Sequence, residues 1–171
     1  YTYSNMITQI KTSSPIKAWK ITFSLFGANV YLLNLRNTNI LIDTSSYDNR
    51  DELISDLESL NIKPSDIDII LSTHNHWDHI QNIDLFKNSN PSIKIYGSKK
   101  DFPEEKFSFI GEIKQIEKEF PELNIIETPG HTPGSVCIYL KSEKILFSGD
   151  TIFHRGIGRT DFSESSHEKM E

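Results

Sequence analysis

The chain has 171 residues, of which 36% are hydrophobic and 25% are charged, and its formal net charge is −6. This length and composition predict one globular domain with a hydrophobic core. An acidic chain without a concentrated basic face is not expected to bind nucleic acid. No apolar run is long enough to span a membrane, and Tyr1–Thr12 lacks the pattern of a secretory signal. Cys137 is the single cysteine of the sequence and cannot form an internal disulfide, so we expect a reducing compartment and a cytoplasmic protein. We expect its side chain to be a small buried residue of the core.

Apolar periodicity predicts alternating strands and helices along the first half of the chain. The expected elements are strands at Ile16–Phe26, Asn29–Leu35 and Ile40–Ile42, a helix at Asp51–Leu60, a buried strand at Asp66–Leu71 and a helix at Asp78–Phe86. Asp43 directly follows the third strand, where its carboxylate either orients a neighbouring group or belongs to a turn.

The second half is predicted from the same signals. The expected elements are strands at Ile93–Tyr96 and Asn124–Glu127, a helix or strand at Ile113–Phe120, a hairpin of Val136–Leu140 with Lys144–Phe147, a glycine-hinged loop at Gly156–Phe162 and a helix start at Ser163–Glu171. The charges of the stretch Gly97–Phe109 are interpreted as a solvated face, and the stretch itself as a segment that moves beside the functional site.

The stretch Leu71–Ile80 contains three histidines and an aspartate within six residues. Imidazole and carboxylate groups are ligands of divalent zinc, iron and manganese. The stretch follows a predicted buried strand, and α/β folds place their chemistry at strand ends. Alternation brings His74 and His76 to one side of an extended segment, whereas Asp78 and His79 point elsewhere as a helix begins. This geometry favours two adjacent metal positions over one. The alternative to a metal site is a polar surface loop.

Two later segments repeat the pattern of an apolar strand followed by a ligand-type residue beside Gly or Pro. His131 follows the strand Asn124–Glu127, and Asp150 follows the strand that ends at Phe147. Each residue alone is also typical of a turn. Together with the first stretch, they indicate one shared metal site.

The three segments resemble the motifs of the metallo-β-lactamase superfamily. They read Thr-His-Asn-His-Trp-Asp-His, Gly-His-Thr-Pro-Gly-Ser and Ser-Gly-Asp-Thr-Ile-Phe, and their order and spacing match over about Ile21–Phe162. The resemblance implies an α/β fold, the four-layer αβ/βα sandwich, with the metal site in a cleft at one edge of its sheets. We expect a single domain over residues 1–171.

The resemblance also implies metal ligands within the three segments: His74, His76 and His131 for the first metal, Asp78 and His79 for the second, and Asp150 for both. Zinc is expected, as one or two ions, with iron or manganese as alternatives. Asp78 is the ligand expected to orient the metal-bound hydroxide or to accept a proton.

The last histidine ligand of the family, on a strand near the C-terminus, has no counterpart in this sequence. Neither His154 nor His167 has the strand-and-glycine setting of that ligand, and both are left unassigned. We therefore expect that the C-terminal part of the domain is missing from this chain. The alternative is a degraded second metal site.

Three further polar residues are candidates for roles around the metal site. Thr132 and Thr151 either hydrogen-bond the ligands or are exposed turn residues. Gly156–Phe162 resembles a segment of compact glyoxalase II-like hydrolases and of persulfide dioxygenases. In it, Arg159 either binds a substrate carboxylate or forms a salt bridge, with Asp161 as the nearest partner.

The leading functional hypothesis is a glyoxalase II-like hydrolase that cleaves a thioester or ester with a metal-bound hydroxide. Its expected partner is a small-molecule substrate such as a thioester of glutathione or of another thiol, with no nucleic acid and no membrane. One alternative is an iron-dependent persulfide dioxygenase that uses His74, His131 and Asp150. Another is an inactive binding module of the same fold.

Overall fold

A computed structural model describes residues 6–170 of the chain. These residues group into two compact units. The first unit contains residues of Tyr1–Leu71 and His76–Lys94, and the second contains Ser72–Asn75 and residues of Ile95–Glu171. The single domain expected over the whole chain stays a prediction.

Five strands of the first unit lie side by side in the order of the chain. They are β1 (Met6–Ile10), β2 (Lys17–Thr22), β3 (Val30–Leu35), β4 (Thr38–Ile42) and β5 (Ile69–Leu71). Neighbours from β1 to β4 are antiparallel, and β5 pairs with β4 in parallel. The apolar residues Leu32, Leu33, Ile40 and Leu41 are fully buried, so β3 and β4 carry much of the core of this unit.

Four of these strands were predicted, and β1 was not. The prediction was wrong in extending β2 as far as Phe26, because the chain bends after Thr22. The bend is held by side chains: the Ser24 amide and hydroxyl donate to Glu52, at 3.2 and 2.8 Å. The Ser46 hydroxyl donates to the Phe26 carbonyl at 2.8 Å. These contacts with distant residues are invisible to strand periodicity.

The helices of the first unit are α1 (Arg50–Ser59), α2 (Trp77–Ile80) and α3 (Ile83–Ser89). Helix α1 confirms its prediction, and Leu53 and Leu57 are buried one turn apart. The prediction of one helix over Asp78–Phe86 is wrong, because the helix is interrupted before Ile83. The buried Asn82 side chain there donates to the carbonyls of Thr44 and Ser46, at 2.8 and 2.7 Å.

Short elements and two small sheets make up the second unit. They are β6 (Lys94–Gly97, which begins at the end of the first unit), α4 (Glu104–Phe107), β7 (Gly111–Glu112), α5 (Ile116–Glu119), β8 (Leu123–Glu127), β9 (Val136–Leu140), β10 (Ile145–Phe147), β11 (Ile152–Phe153), β12 (Gly156–Ile157) and α6 (His167–Met170). Strands β6 and β7 are parallel, β10-β9-β8 is an antiparallel sheet, and β11 pairs with β12.

The predicted strands and hairpin of the second unit are confirmed, and the ambiguous stretch Ile113–Phe120 is helical. The interpretation of the charges in Gly97–Phe109 as a solvated face is wrong for Asp101, which is buried. The hairpin β11–β12 was not predicted. Cys137 is buried on β9, as expected.

The predicted helix start at Ser163–Glu171 is confirmed in part, because α6 begins only at His167 and Glu171 lies outside the described residues. Among residues 6–170, none of the helices has the length and apolar character that crossing a lipid bilayer requires.

A buried carboxyl on α1 makes the stability of the fold depend on pH. Asp56 is 1% exposed, and burial, followed by the nearby charge of Glu52, raises its pKa to about 6. A raised carboxyl pKa means that the folded state holds the proton more tightly than the unfolded state. Stability is therefore lost as pH rises from about 4 through about 6.

We expect Asp56→Asn to raise the free energy of unfolding at pH 8 by about 2 kcal/mol, given roughly 1.4 kcal/mol per pKa unit and an imperfectly satisfied amide. At pH 4 the variant and the parent protein should differ little. Urea unfolding at both pH values measures this, with the exposed Glu58→Gln on the same helix as the control. An equal effect of Asp56→Asn at both pH values would contradict the explanation.

Candidate metal centre

The second unit brings together three of the predicted ligands, His74, His131 and Asp150. His74 and His131 are 1% and 3% exposed, and their ring centroids lie 4.9 Å apart with the rings at 77°. The Nε2 atom of His131 lies 3.4 Å from Oδ2 of Asp150. Ligand atoms of His74 lie within 4.8 Å of those of His131 and of Asp150. These distances are those of side chains that can share one ion.

The tautomer of His131 is determined by its environment. Nδ1 lies 2.7 Å from the main-chain carbonyl oxygen of Arg159, and a carbonyl only accepts, so Nδ1 carries the proton. The lone pair of a neutral ring is then on Nε2, which faces the Asp150 carboxylate. The nitrogen lone pair and the carboxylate oxygen repel each other at 3.4 Å unless a positive charge lies between or beside them. The residues therefore fit a bound divalent metal.

His74 and Asp150 stand on segments that are tied to the neighbouring strands. Nδ1 of His74 lies 3.0 Å from the hydroxyl of Thr73, and the Thr73 carbonyl accepts from the amide of Val136 at the start of β9. Asp150 lies in the turn after β10, in which the Thr151 amide donates to the Ser148 carbonyl at 3.0 Å. Both ligand candidates thus follow strand ends, as the sequence predicts.

The first unit contains the other predicted ligands. His79 and Asp43 are both buried, and Nδ1 of His79 lies 2.8 Å from Oδ2 of Asp43. A carboxylate on Nδ1 leaves Nε2 as the coordinating nitrogen, an arrangement common among metal-binding histidines. Nε2 of His79 lies 4.0 Å from Oδ2 of Asp78. His76 has extended backbone angles immediately before α2.

The structure answers the question that the sequence left open for Asp43. Its carboxylate orients His79, and its backbone adopts a left-handed conformation with φ of 59°. Next to it, the amide and the hydroxyl of Thr44 both donate to the His79 carbonyl, at 2.7 and 3.0 Å. The segment after β4 therefore holds both the ring and the main chain of His79.

Neither expectation for the two threonines is correct. Thr132 and Thr151 are buried, so they are not exposed turn residues. They also do not bond the ligand side chains: the Thr132 hydroxyl donates to Asp101 at 2.6 Å, and the Thr151 hydroxyl bonds Thr128 at 2.8 Å. Both stabilise the segments on which ligand candidates stand.

The side chain of Arg159 forms the predicted salt bridge with Asp161. Its Nε and a terminal nitrogen donate to the two carboxylate oxygens at 2.9 and 2.8 Å, and these bonds hold the pKa of Asp161 below its usual value. The Arg159 guanidinium also lies 4.7 Å from the ring centre of Phe162, which in turn lies 5.9 Å from the ring of His131. Arg159 is 69% exposed and remains accessible to a ligand.

The two histidines without a matching motif are separate from the ligand candidates. His154 is exposed in the turn between β11 and β12, and Nδ1 of His167 lies 3.3 Å from the hydroxyl of Thr160. Within the described part of the chain, neither belongs to a group of side chains with metal-binding geometry.

Two residues that matter for the centre were missed by sequence reasoning, Asp101 and Gly158. Asp101 lies in a charged stretch that has no motif, so nothing marked it. Gly158 was included in a glycine-hinged loop, and the spacing of the glycines at 156 and 158 was the available signal. Its main chain lies against Asp150 so closely that a Cβ atom there would overlap the Asp150 carbonyl oxygen.

Comparison with known proteins relates this geometry to a family. The model of the Metallo-beta-lactamase superfamily matches residues 24–171. A probable metallo-hydrolase of Methanocaldococcus jannaschii is 41% identical over 108 residues, which are 63% of this chain and 49% of that protein. The cytoplasmic isozyme of hydroxyacylglutathione hydrolase from Saccharomyces cerevisiae is 35% identical over 116 residues, which are 61% of this chain and 41% of that enzyme. The chain thus spans about half the length of these relatives or less.

A solved structure shows the same fold. The crystal structure of TTHA1623 in a di-iron-bound form superposes with a TM-score of 0.68 at 20% identity, and covers 88% of this chain and 81% of that chain. At this identity the likeness concerns the fold alone, and the expected α/β fold is confirmed. Because the family model also covers most of the chain, this protein belongs to the metallo-β-lactamase superfamily.

Proposed function

We propose that the protein is a metal-dependent hydrolase of small-molecule thioesters or esters, with hydroxyacylglutathione thioesters as the leading substrates. The observation that carries the proposal is the lone-pair nitrogen of His131, 3.4 Å from the Asp150 carboxylate and beside the ring of His74. Relatives named metallo-hydrolase and hydroxyacylglutathione hydrolase support the same class of reaction.

The proposed ligand assignment follows the family motifs. It gives His74, His76 and His131 to a first metal, Asp78 and His79 to a second, and Asp150 to both. Zinc is the proposed metal, with iron or manganese as alternatives. A bound divalent metal supplies a hydroxide nucleophile at neutral pH and polarises the carbonyl that is attacked.

The protein side chains orient the ligands and move protons. The Arg159 carbonyl holds Nδ1–H of His131, and the Asp43 carboxylate holds Nδ1 of His79, so that Nε2 of each ring is left as the nitrogen that can bind a metal. We assign proton transfer to the carboxylate of Asp78, whose Oδ2 atom lies 4.0 Å from Nε2 of His79.

The exposed Arg159 is proposed to bind a carboxylate of the substrate in place of Asp161. Exchange of one carboxylate for another costs little here, because an ion pair between exposed, solvated side chains contributes little to stability. We expect Arg159→Ala to raise KM about two- to fivefold for a glutathione thioester, with kcat nearly unchanged, since the lost contact binds ground state and transition state alike. A thioester without carboxylates is the control substrate. Equal effects on both substrates would contradict this role.

The proposed function is tested on purified protein in two steps. Elemental analysis after expression in metal-replete medium gives the identity and number of bound metals. Hydrolysis of a hydroxyacylglutathione thioester is then followed before and after chelation, and again after zinc is restored. Hydrolysis that disappears on chelation and returns with metal supports the proposal. Bound metal without hydrolysis of any thioester or ester in a panel would refute it, and absence of both would favour an inactive binding module.

An iron-dependent persulfide dioxygenase is the second candidate. The observation that favours it is the presence of two histidines and one carboxylate, His74, His131 and Asp150, within one compact unit. Non-haem iron that activates oxygen is typically held by this ligand set. Oxygen uptake with glutathione persulfide by the iron-loaded protein would support this reaction. Zinc-dependent hydrolysis without oxygen uptake would exclude it.

A further inference from the structure

A buried carboxylate in the second unit is surrounded by hydrogen-bond donors. Asp101 follows β6 and is 3% exposed. Its Oδ1 accepts from the Gly134 amide at 2.7 Å, and its Oδ2 accepts from the Thr132 hydroxyl at 2.6 Å and from the Asn75 amide at 3.2 Å. A buried carboxylate is costly unless such bonds satisfy it, so this arrangement favours one well-defined geometry.

The donors to Asp101 stand directly beside two predicted metal ligands. Asn75 follows His74, and Thr132 follows His131. The contact to Asn75 is double, because the Asn75 side-chain amide also donates to the main-chain carbonyl of Asp101 at 3.0 Å. One aspartate therefore links the segment after β5 to the turn before β9.

The turn before β9 is shaped to receive this carboxylate. A Cβ atom on Gly134 would lie 2.6 Å from both Cγ and Oδ1 of Asp101, so only glycine allows the amide to approach so closely. The Thr132 amide and hydroxyl also bond the hydroxyl of Ser135, at 3.0 and 2.7 Å. The turn is thus stabilised both by hydrogen bonds between its own residues and by hydrogen bonds to Asp101.

We propose that Asp101 is a positioning residue of the metal centre, which fixes the distance between the imidazoles of His74 and His131 before a metal binds. The inference rests on the proposed function in that it takes both histidines as ligands. Asp101 acts through the main chain of the neighbouring residues and does not itself contact the metal or the substrate. A preset spacing strengthens metal binding because less ordering is required when the ion enters.

The replacement Asp101→Asn tests the proposal because it keeps the shape and changes the hydrogen bonding. A carboxylate accepts with both oxygens, whereas the NH2 group of an amide cannot accept, so the bonds to one of the two oxygen positions are lost. We expect zinc affinity, measured by chelator competition, to fall about 10- to 100-fold. We also expect the visible absorption of the cobalt(II)-substituted protein to change, because the angle between the two rings is altered.

The matched control is Glu127→Gln in the same unit. Glu127 is also a hydrogen-bonded carboxylate, which accepts from Lys100 and Lys114 at 2.9 and 2.7 Å, and both lysines are exposed. Its zinc affinity and cobalt spectrum should equal those of the parent protein. Circular dichroism and urea unfolding of the metal-free proteins show whether each variant is folded under the conditions of the titration.

A second variant keeps the test decisive if Asp101→Asn is poorly folded. Thr132→Val removes one donor to Asp101 and leaves the carboxylate in place, so we expect a smaller loss of zinc affinity. In the double variant, valine removes the hydroxyl proton that would otherwise point at the NH2 group of the introduced asparagine. The combined loss of zinc affinity should therefore be less than the sum of the losses in the two single variants. Strict additivity of the two substitutions counts against the proposal.

The outcomes separate this inference from the proposed function. If the parent protein binds zinc and Asp101→Asn binds it within twofold, with the same cobalt spectrum, Asp101 is not a positioning residue and the proposed function stands. If the parent protein binds no metal, the proposed function fails and this inference fails with it.

Discussion

Replacement of His131 by alanine is expected to remove the proposed metal binding and, with it, the proposed hydrolysis. The free energy of metal binding to a four-ligand site is about 10 kcal/mol or more, so one ligand contributes roughly 2.5 kcal/mol, or about 100-fold in affinity. In the proposed site, we expect His131 to contribute more than an average ligand, because the Arg159 carbonyl sets its tautomer and Asp150 lies 3.4 Å from its Nε2. At micromolar metal, we therefore expect a loss of kcat/KM of at least about 100-fold.

The measurements for this prediction are the metal content after dialysis and kcat/KM for a hydroxyacylglutathione thioester. The control is His154→Ala, because His154 is exposed and lies outside the metal-binding groups of the described residues. The control should retain the metal and the activity of the parent protein. Equal metal content in both variants would show that His131 is not a ligand.

Replacement of Gly158 by alanine is expected to disrupt the centre without removing a ligand. An added Cβ atom would overlap the Asp150 carbonyl oxygen, and would lie 2.9 Å from the Asp150 carbonyl carbon and 3.2 Å from Nδ1 of His131. The obstacle is main chain, so the loop has to move away from both ligand candidates. The Gly158 amide would then also lose the Thr151 carbonyl, from which it is 3.2 Å distant.

We expect Gly158→Ala to lower the free energy of unfolding by about 1–3 kcal/mol, as overpacking usually does. Zinc affinity should fall by at least about tenfold, because the Arg159 carbonyl that orients His131 moves with the loop. The matched control is Gly156→Ala in the same loop, where an added Cβ atom would have no heavy atom within 4 Å. Equal stability and zinc affinity of the two variants would show that the close approach at Gly158 is unimportant.

The two control variants, His154→Ala and Gly156→Ala, also test whether the hairpin itself is needed for metal binding. His154 and Gly156 lie in the hairpin β11–β12, directly before Gly158. If the hairpin itself were required for metal binding, both controls would fail together with the test variants. Retained binding in the controls therefore limits the effect to the ring of His131 and to the main-chain contact of Gly158.

Sequence reasoning succeeded where a local pattern has one physical cause. Buried strands read as apolar runs, and a polar residue that ends such a run lies at a sheet edge, which is why the positions of His74, His131 and Asp150 after strand ends were predicted. Their role as metal ligands stays a prediction. It failed where contacts with distant residues override local preference. The helix predicted over Asp78–Phe86 is divided, since the Asn82 side chain bonds carbonyls that lie 36 and 38 residues away in sequence.

The sequence by itself determined the types and order of the candidate ligands and, through the motifs, the family. Ligand identity is a property of single side chains, so it can be read without a structure. Only the tertiary structure decided which residues hold those ligands in place. The roles of Asp43, Asp101 and Gly158 depend on hydrogen bonds and close approaches between segments separated by up to 36 residues. Such contacts leave no periodic pattern in the sequence, because periodicity records which face of a helix or strand is buried and does not record which segment lies against it.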